Sequence, residues 1–114
     1  MTSAPGGGGN TPFVRIAQLR IDPTQIEAFK AAAAAVGRAS IVEEPGCLAL
    51  YAVADQDDVS HVTVFEIYRD EAAYQAHVRS AHFLHFRAVT DAMVQSRHLA
   101  TAIPISLENK MGGA

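Results

Sequence analysis

Glu43–Leu48 reads EEPGCL, and Glu66–Phe83 reads EIYRDEAAYQAHVRSAHF. The dipeptide Pro45-Gly46 in the first stretch is typical of a turn that ends a helix. The second stretch begins as a β-strand rich in apolar and aromatic residues and continues with the composition of a helix. Together they predict a turn into one strand, then a further strand, then a helix that carries histidine.

The helical part of the second stretch has two capping signals. Asp70 is placed to cap a helix at its N-terminus, because its carboxylate can accept a hydrogen bond from the first free backbone N–H groups. Ser80 is placed to end this helix and cap another. We therefore predict helical segments over 71–79 and from 81 to about 96.

The N-terminal half predicts a strand followed by a long helix. Phe13–Ile21 alternates in a mixed pattern that suits a strand covered on both sides. Asp22-Pro23 supplies an N-cap with proline at the first helical position. The helix that follows has one apolar stripe, which consists of Ile26, Phe29, Ala33, Val36 and Ser40.

Three more strands complete the pattern. Cys47–Val53 and His61–Tyr68 are rich in strand-forming residues and flank the polar loop Asp55–Asp58. We predict the last strand over Ala102–Leu107, where Pro104 suggests an edge position.

The order strand, helix, strand, strand, helix pair, strand predicts an α+β, ferredoxin-like split βαβ fold with an antiparallel sheet. Helices cover one face of such a sheet and leave the other face apolar and exposed. Two such sheets that stack face to face would bury it, so we expect a homodimer through the sheet faces, a dimeric α+β barrel.

The ends of the chain differ in composition from its middle. Residues 1–10 include four consecutive glycines, which predict a flexible Gly-rich N-terminal segment. Residues 111–114 predict a flexible tail. One domain is expected over residues 11–110.

Charge and cysteine content exclude several classes of function. The 9 Lys and Arg residues are outnumbered by 12 Asp and Glu, and the arginines form no basic stripe, so we expect no nucleic-acid partner. No apolar run approaches the ~20 residues needed to span a bilayer, so we expect no membrane partner. The single cysteine fits a reducing compartment, and a cytoplasmic location is expected.

Glu66 is the most unusual residue of the third strand. It shares a face with Val62, Val64 and Tyr68, and an unpaired carboxylate in such apolar surroundings is costly. One interpretation makes Glu66 a proton acceptor or the group that orients a histidine. The other makes it an ion-pair partner of an arginine or a neighbouring helix cap.

Two histidines are the other candidate catalytic residues. His77 lies on the stripe of the helix that faces the sheet, and His82 begins the next helical segment. Histidine exchanges protons near neutral pH, which suits acid–base catalysis. Each could equally be a boundary residue with one hydrogen bond. The spacing of His82 and His85 is weak evidence for a metal, and we predict no metal site.

These stretches resemble the antibiotic biosynthesis monooxygenase (ABM) family. The resemblance covers Phe13 to about Leu107 and is most specific at Glu44–Leu48 and from Glu66 to Phe83. It implies a ferredoxin-like homodimer with a pocket between the sheet and the helices of each subunit. It also implies oxidation of a small aromatic or quinol by O₂ without a cofactor.

The resemblance also implies roles for particular residues. His77 is the favoured base, Glu66 or Tyr68 orients it or the substrate, and His82 completes the catalytic set. Phe65 and Phe83 are expected to supply apolar, substrate-binding wall. Haem-degrading relatives carry a Trp on the third strand and a later axial His. Tyr68 and Arg87 occupy those positions here, so haem is disfavoured.

Two alternatives remain open. Tyr68–Glu71 together with His77 and His82 also resembles an isomerase branch that rearranges a phosphorylated hydroxy-dione by proton transfer. For that substrate, Arg79 or the segment start at Ser80 would provide the anion site. The third possibility is a non-catalytic dimer that binds a small ligand, since fold does not settle function.

Overall fold

The computed structural model describes residues 11–111. The predicted flexible segment 1–10 and residues 112–114 of the predicted tail lie outside the described residues. The elements are β1 (Phe13–Ile21), a short 3₁₀ turn (Pro23–Gln25), α1 (Ile26–Glu43), β2 (Cys47–Ala54), β3 (His61–Tyr68), α2 (Glu71–Val78), α3 (Ala81–Thr90) and β4 (Val94–Ala102).

The four strands form one antiparallel sheet in the order β2-β3-β1-β4. The central pair places Arg15 of β1 opposite Glu66 of β3 and Ala17 opposite Val64. The fold is therefore α+β and ferredoxin-like, as the order of the predicted elements indicated.

The predicted apolar stripe of α1 packs on the sheet. Asp22 caps the 3₁₀ turn before the helix by accepting a hydrogen bond from the backbone N–H of Thr24 at 2.9 Å. Phe29 is buried in a cluster with Leu19, Ile21 and other strand residues. Ser40 is also buried, where its hydroxyl donates to the carbonyl of Val36, so this polar group adds no unpaired donor to the core.

The position of the last strand was predicted wrongly. α3 ends at Thr90 rather than near residue 96, and β4 is Val94–Ala102 rather than Ala102–Leu107. β4 pairs with β1 from Ala102 opposite Val14 to Val94 opposite Ile21. Backbone pairing with β1 determines this strand, although its polar residues lie on both faces and give no alternating pattern. β4 is an edge strand, as expected, but Pro104 lies beyond its end.

The sheet face that points away from the helices has exposed apolar side chains on β2. Tyr51 is 43% exposed and Val53 62% exposed on β2. Tyr51 lies opposite Phe65 in the register of β2 with β3. Adjacent exposed apolar side chains on one face are typical of an interaction surface. Within residues 11–111, no helix is long and apolar enough to cross a membrane.

Candidate active site

The site begins where α1 ends. Glu44 caps the C-terminus of this helix, and its backbone N–H donates to the carbonyl of Ser40 at 3.0 Å. Its backbone is extended, with φ −109° and ψ 107°. A residue that precedes proline is driven out of the helical conformation, so Pro45 explains why the helix ends here. The carboxylate of Glu44 leaves the helix at this point.

Gly46 allows the turn after Glu44 to pack against α2. A Cβ atom at Gly46 would lie 2.5 Å from the Cβ of Ala73, closer than two carbon atoms tolerate. The backbone N–H of Arg69 donates to the carbonyl of Gly46 at 2.8 Å and ties the turn to the end of β3. This close approach brings the end of α1 to the side of α2 that carries His77.

His77 is buried and bound to Glu44. Asp70 caps α2 by accepting from the backbone N–H of Ala73 at 2.8 Å, and His77 lies on the inner face of this helix with 2% of its surface exposed. Nδ1 of His77 lies 2.9 Å from Oε2 of Glu44. An ionised carboxylate only accepts, so Nδ1 carries the proton and Nε2 has the free lone pair. Nε2 has no hydrogen-bond partner within the described part of the chain.

His82 contacts the same carboxylate from α3. Ser80 caps α3 by accepting from the backbone N–H of Phe83, and its hydroxyl donates to the carbonyl of His77 at 2.7 Å. One serine thus joins the end of α2 to the start of α3. Nε2 of His82 makes a short hydrogen bond to Oε2 of Glu44. Glu44 therefore holds both candidate histidines.

Glu66 and Tyr68 form a second polar pair. The hydroxyl of Tyr68 donates to Oε1 of Glu66 at 2.5 Å, and Tyr68 is fully buried. Burial raises the pKa of Glu66, although the hydrogen bond from Tyr68 and the charges of His77 and Arg15 oppose this. Burial also raises the pKa of Tyr68, so its hydroxyl remains protonated and acts as a donor.

Aromatic rings enclose His77. The ring centroid of Tyr68 lies 5.3 Å from that of His77, and the ring centroid of Phe83 lies 4.9 Å from it. These contacts restrict the orientation of the imidazole. The ring is thus held on its sides by aromatic groups and at Nδ1 by Glu44.

A cavity of about 640 Å³ lies between the sheet and the helices. Its wall is mostly apolar, and its polar and charged lining residues are Arg15, Glu66, Tyr74, Gln75, His77, Arg87, Thr90 and Arg97. A cavity of this size suits a ligand of one or a few rings. Since Nε2 of His77 is unpartnered and His77 lines the cavity, this nitrogen is available to a ligand.

The cavity contains only some of the predicted site residues. His77, Glu66 and Phe83 line it. Tyr68 and His82 do not line it. Tyr68 donates a hydrogen bond to the lining residue Glu66, and His82 is hydrogen-bonded to Glu44, which in turn binds the lining residue His77. Phe65 was predicted to form part of the cavity wall, but it does not line the cavity. It is adjacent to Glu66 on β3, so its side chain lies on the opposite sheet face, away from the helices.

The sequence analysis did not identify several residues of the candidate site. Glu44 was assigned only to the turn, although it binds both histidines. Arg15 and Arg87 were not predicted to line a cavity. The available signal for Glu44 was its position at a helix end, immediately before Pro45-Gly46. Nothing in the sequence indicated which distant side chain its carboxylate contacts.

Glu44, His77 and His82 are also the group within residues 11–111 whose donor atoms could hold a metal ion. Their ligand atoms lie within 4.8 Å of one another. Two imidazoles and one carboxylate suit a divalent transition metal. His85, whose spacing from His82 was weak evidence for a metal in the sequence, is exposed on α3 and is not part of this group.

Cys47 is unsuited to nucleophilic chemistry. It is buried at the start of β2, and burial raises the pKa of its thiol to about 12. The nearby carboxylates of Glu44 and Glu66 act in the same direction. Since the thiolate is the reactive form, this residue is a core thiol.

Solved structures of other proteins share this fold. A putative antibiotic biosynthesis monooxygenase from Bacteriodes thetaiotaomicron is 39% identical, with a TM-score of 0.85 over 91% of this chain and 99% of that chain. A protein from Pseudomonas aeruginosa is 28% identical, with a TM-score of 0.78 over 88% of this chain and 100% of that one. A putative antibiotic biosynthesis monooxygenase from Nitrosomonas europaea, at 23% identity and a TM-score of 0.79 over 87% and 95% of the two chains, shares the fold.

No curated protein sequence matches the chain significantly. The family model described as antibiotic biosynthesis monooxygenase matches residues 12–89, which include β1 to most of α3 and both candidate histidines. The chain therefore belongs to the antibiotic biosynthesis monooxygenase family.

Proposed function

We propose that this protein is a cofactor-independent monooxygenase that oxidises a small aromatic or quinol substrate with O₂. The observation that carries the proposal is the arrangement of His77. Its Nδ1 is bound to the Glu44 carboxylate, and its Nε2 is free at the wall of an apolar cavity. This is the arrangement of a general base oriented by a carboxylate.

The reaction begins with deprotonation of the substrate. Nε2 of His77 takes the proton of a substrate hydroxyl, and Glu44 stabilises the imidazolium that forms. The electron-rich phenolate then reduces O₂, and a bond forms between one oxygen atom and a ring carbon. The other oxygen atom leaves as water. In total, a quinol and O₂ give a hydroxylated quinone and water, with four electrons supplied by the substrate.

The neighbouring residues have supporting roles. Phe83 supplies apolar wall beside His77, which excludes water from the phenolate. Glu66, supported by the hydroxyl of Tyr68, is placed to hydrogen-bond the substrate. His82 acts through Glu44 as a positioning residue.

We further propose that the protein works as a homodimer in the cytoplasm. The exposed apolar side chains of Tyr51 and Val53 on the outer sheet face support association through the sheets. The single cysteine supports a reducing compartment.

O₂ consumption with a panel of hydroquinones tests the proposed reaction. We expect uptake above the uncatalysed rate, one ¹⁸O atom from ¹⁸O₂ in the product, and no loss of activity after dialysis against EDTA. An absence of uptake across benzo-, naphtho- and anthrahydroquinones would contradict the oxygenase. Loss of activity on chelation that a metal restores would contradict cofactor independence and point to Glu44, His77 and His82 as ligands.

The isomerase alternative uses the same base without oxygen. Turnover of a phosphorylated hydroxy-dione under strict anaerobiosis would favour it over the oxygenase. Binding of aromatic ligands without any turnover would favour the non-catalytic alternative. The three functions are therefore separated by one set of aerobic and anaerobic assays.

A further inference from the structure

Arginines dominate the charge of the cavity. Three guanidinium groups line it, those of Arg15, Arg87 and Arg97, against one carboxyl group, that of Glu66. An apolar cavity with excess positive charge attracts ligands that are both aromatic and anionic.

Two of these arginines share one weak partner. Nη2 of Arg87 lies 3.6 Å from Oδ1 of Asp91, and Nη2 of Arg97 lies 3.8 Å from the same atom. The Asp91 side chain is 64% exposed, and ion pairs in such surroundings stabilise little. Two guanidinium groups around one solvated carboxylate can therefore accept a second anion.

Arg87 also has a donor without a partner. Its Nε is buried and makes no hydrogen bond within residues 11–111. A buried donor without an acceptor is unfavourable, so an acceptor atom supplied by a ligand would be stabilised here. Guanidinium groups bind carboxylate and phosphate oxygens with paired, charge-assisted hydrogen bonds.

Arg15 is engaged differently. Its Nη1 donates to the hydroxyl of Thr101 at 2.8 Å, and its guanidinium lies 5.0 Å from the ring centroid of Tyr74. It also lies opposite Glu66 in the sheet. Arg15 is thus paired within the cavity wall, whereas Arg87 and Arg97 remain available for a ligand.

Phe83 lies close to both Arg87 and the proposed base, His77. The guanidinium carbon of Arg87 lies 6.0 Å from the centroid of the Phe83 ring. The centroid of the His77 ring lies 4.9 Å from the same point. Because His77 and Arg87 both lie beside Phe83 and line the cavity, an aromatic ligand that contacts this ring would be near both the proposed base and a cation.

We propose that the substrate is a hydroxylated aromatic with an anionic group remote from the reactive hydroxyl, and that Arg87 and Arg97 bind this group. The anion is a carboxylate or a phosphate, which share this recognition chemistry. The proposal rests on the proposed function for the role of His77. It replaces Arg79 and Ser80 as the anion site, because neither residue lines the cavity.

Binding under anaerobic conditions tests the proposal without turnover, so its result does not depend on whether the protein is an oxygenase. The probes are 2-naphthol, 6-hydroxy-2-naphthoate and 6-hydroxy-2-naphthyl phosphate, which share the hydroxyl and differ in the anionic group. Fluorescence titration gives each Kd. We expect at least one anionic probe to bind about tenfold or more tightly than 2-naphthol. The preferred probe distinguishes a carboxylate from a phosphate.

Variants locate the anion site. Arg87→Gln and Arg97→Gln should each reduce the preference for the anionic probe to about threefold or less and change the Kd of 2-naphthol by less than about twofold. Arg79→Gln is the matched control and should retain the full preference. Thermal melting confirms that each variant is folded.

Three results would overturn the proposal. One is equal affinity of the wild-type protein for all three probes. Another is retention of the anionic preference in both Arg87→Gln and Arg97→Gln. The third is loss of the preference in Arg79→Gln. A protein that shows the expected preference but consumes no O₂ would support this inference and contradict the oxygenase.

Discussion

Glu44 and His77 are hydrogen-bonded at 2.9 Å although they are separated by 33 positions in the chain. The contact joins the end of α1 to the inner face of α2. It determines which imidazole nitrogen is protonated, because the carboxylate requires an N–H donor. The remaining nitrogen, Nε2, has no hydrogen-bond partner within residues 11–111 and belongs to a residue that lines the cavity.

Replacement of His77 tests the assignment of the base. We expect His77→Gln to reduce kcat of the oxidation by about 10²- to 10⁴-fold, because general base catalysis contributes on this scale. Steady-state O₂ uptake gives kcat and KM. His85→Gln is the control, since His85 lies exposed on α3 outside the cavity. Unchanged kcat in His77→Gln would refute the role of His77.

Replacement of Glu44 tests orientation by a residue that does not line the cavity. We expect Glu44→Gln to reduce kcat by about 100-fold with little change in KM. Glu43→Gln, at an exposed neighbouring position, is the matched control. A rise in KM alone would indicate that Glu44 affects binding rather than proton transfer.

Glu66 should make stability depend on pH. Its pKa is raised in the folded protein, so proton binding favours the folded state. This contribution is fully present below the unfolded pKa, near 4.3, and is lost as pH rises through the folded pKa. Glu66→Gln does not titrate, so its unfolding free energy relative to wild type should increase with pH across this window and then level off.

Urea unfolding at a series of pH values between 4 and 8 measures that difference. Glu108→Gln, at an exposed position, controls for the loss of one negative charge. A difference between Glu66→Gln and wild type that is independent of pH would contradict the raised pKa of Glu66.

Two glycines should respond oppositely to alanine. Gly46→Ala places a Cβ atom 2.5 Å from that of Ala73, and we expect a loss of about 1–3 kcal/mol in unfolding free energy. Gly37 lies within α1, where a Cβ atom would meet Leu50 at an ordinary 3.9 Å, so Gly37→Ala should gain about 0.5–1 kcal/mol. Chemical denaturation measures both. Equal effects would contradict the close packing at Gly46.

The open sheet face should mediate dimerisation. We expect a solution mass twice that of one chain by light scattering. Tyr51→Asp introduces a charge among the exposed apolar side chains of this face and should shift the mass toward that of the monomer. Val89→Asp is the control, because Val89 is 41% exposed on α3, which packs on the opposite side of the sheet. A wild-type monomer at high protein concentration would refute the dimer.

Local patterns predicted most of the fold. Asp70 and Ser80 cap α2 and α3 as expected, because an N-cap depends only on hydrogen bonds to the next three residues. β4 was misplaced because it is held by pairing with β1, whose residues lie about 80 positions away. Local composition contains no information on such a pairing when polar side chains lie on both faces of the strand.

Short-range periodicity, capping and residue chemistry in the sequence predict the α+β fold and the order of its elements, and they make His77 a candidate for acid–base chemistry. The contact of Glu44 with His77, the position of Phe65 away from the cavity and the carboxylate shared by Arg87 and Arg97 are known only from the folded structure. The physical reason is that a hydrogen bond or an ion pair requires two groups within a few ångströms. For residues far apart in sequence, the packing of the turn at Gly46 and of the helices on the sheet sets that distance.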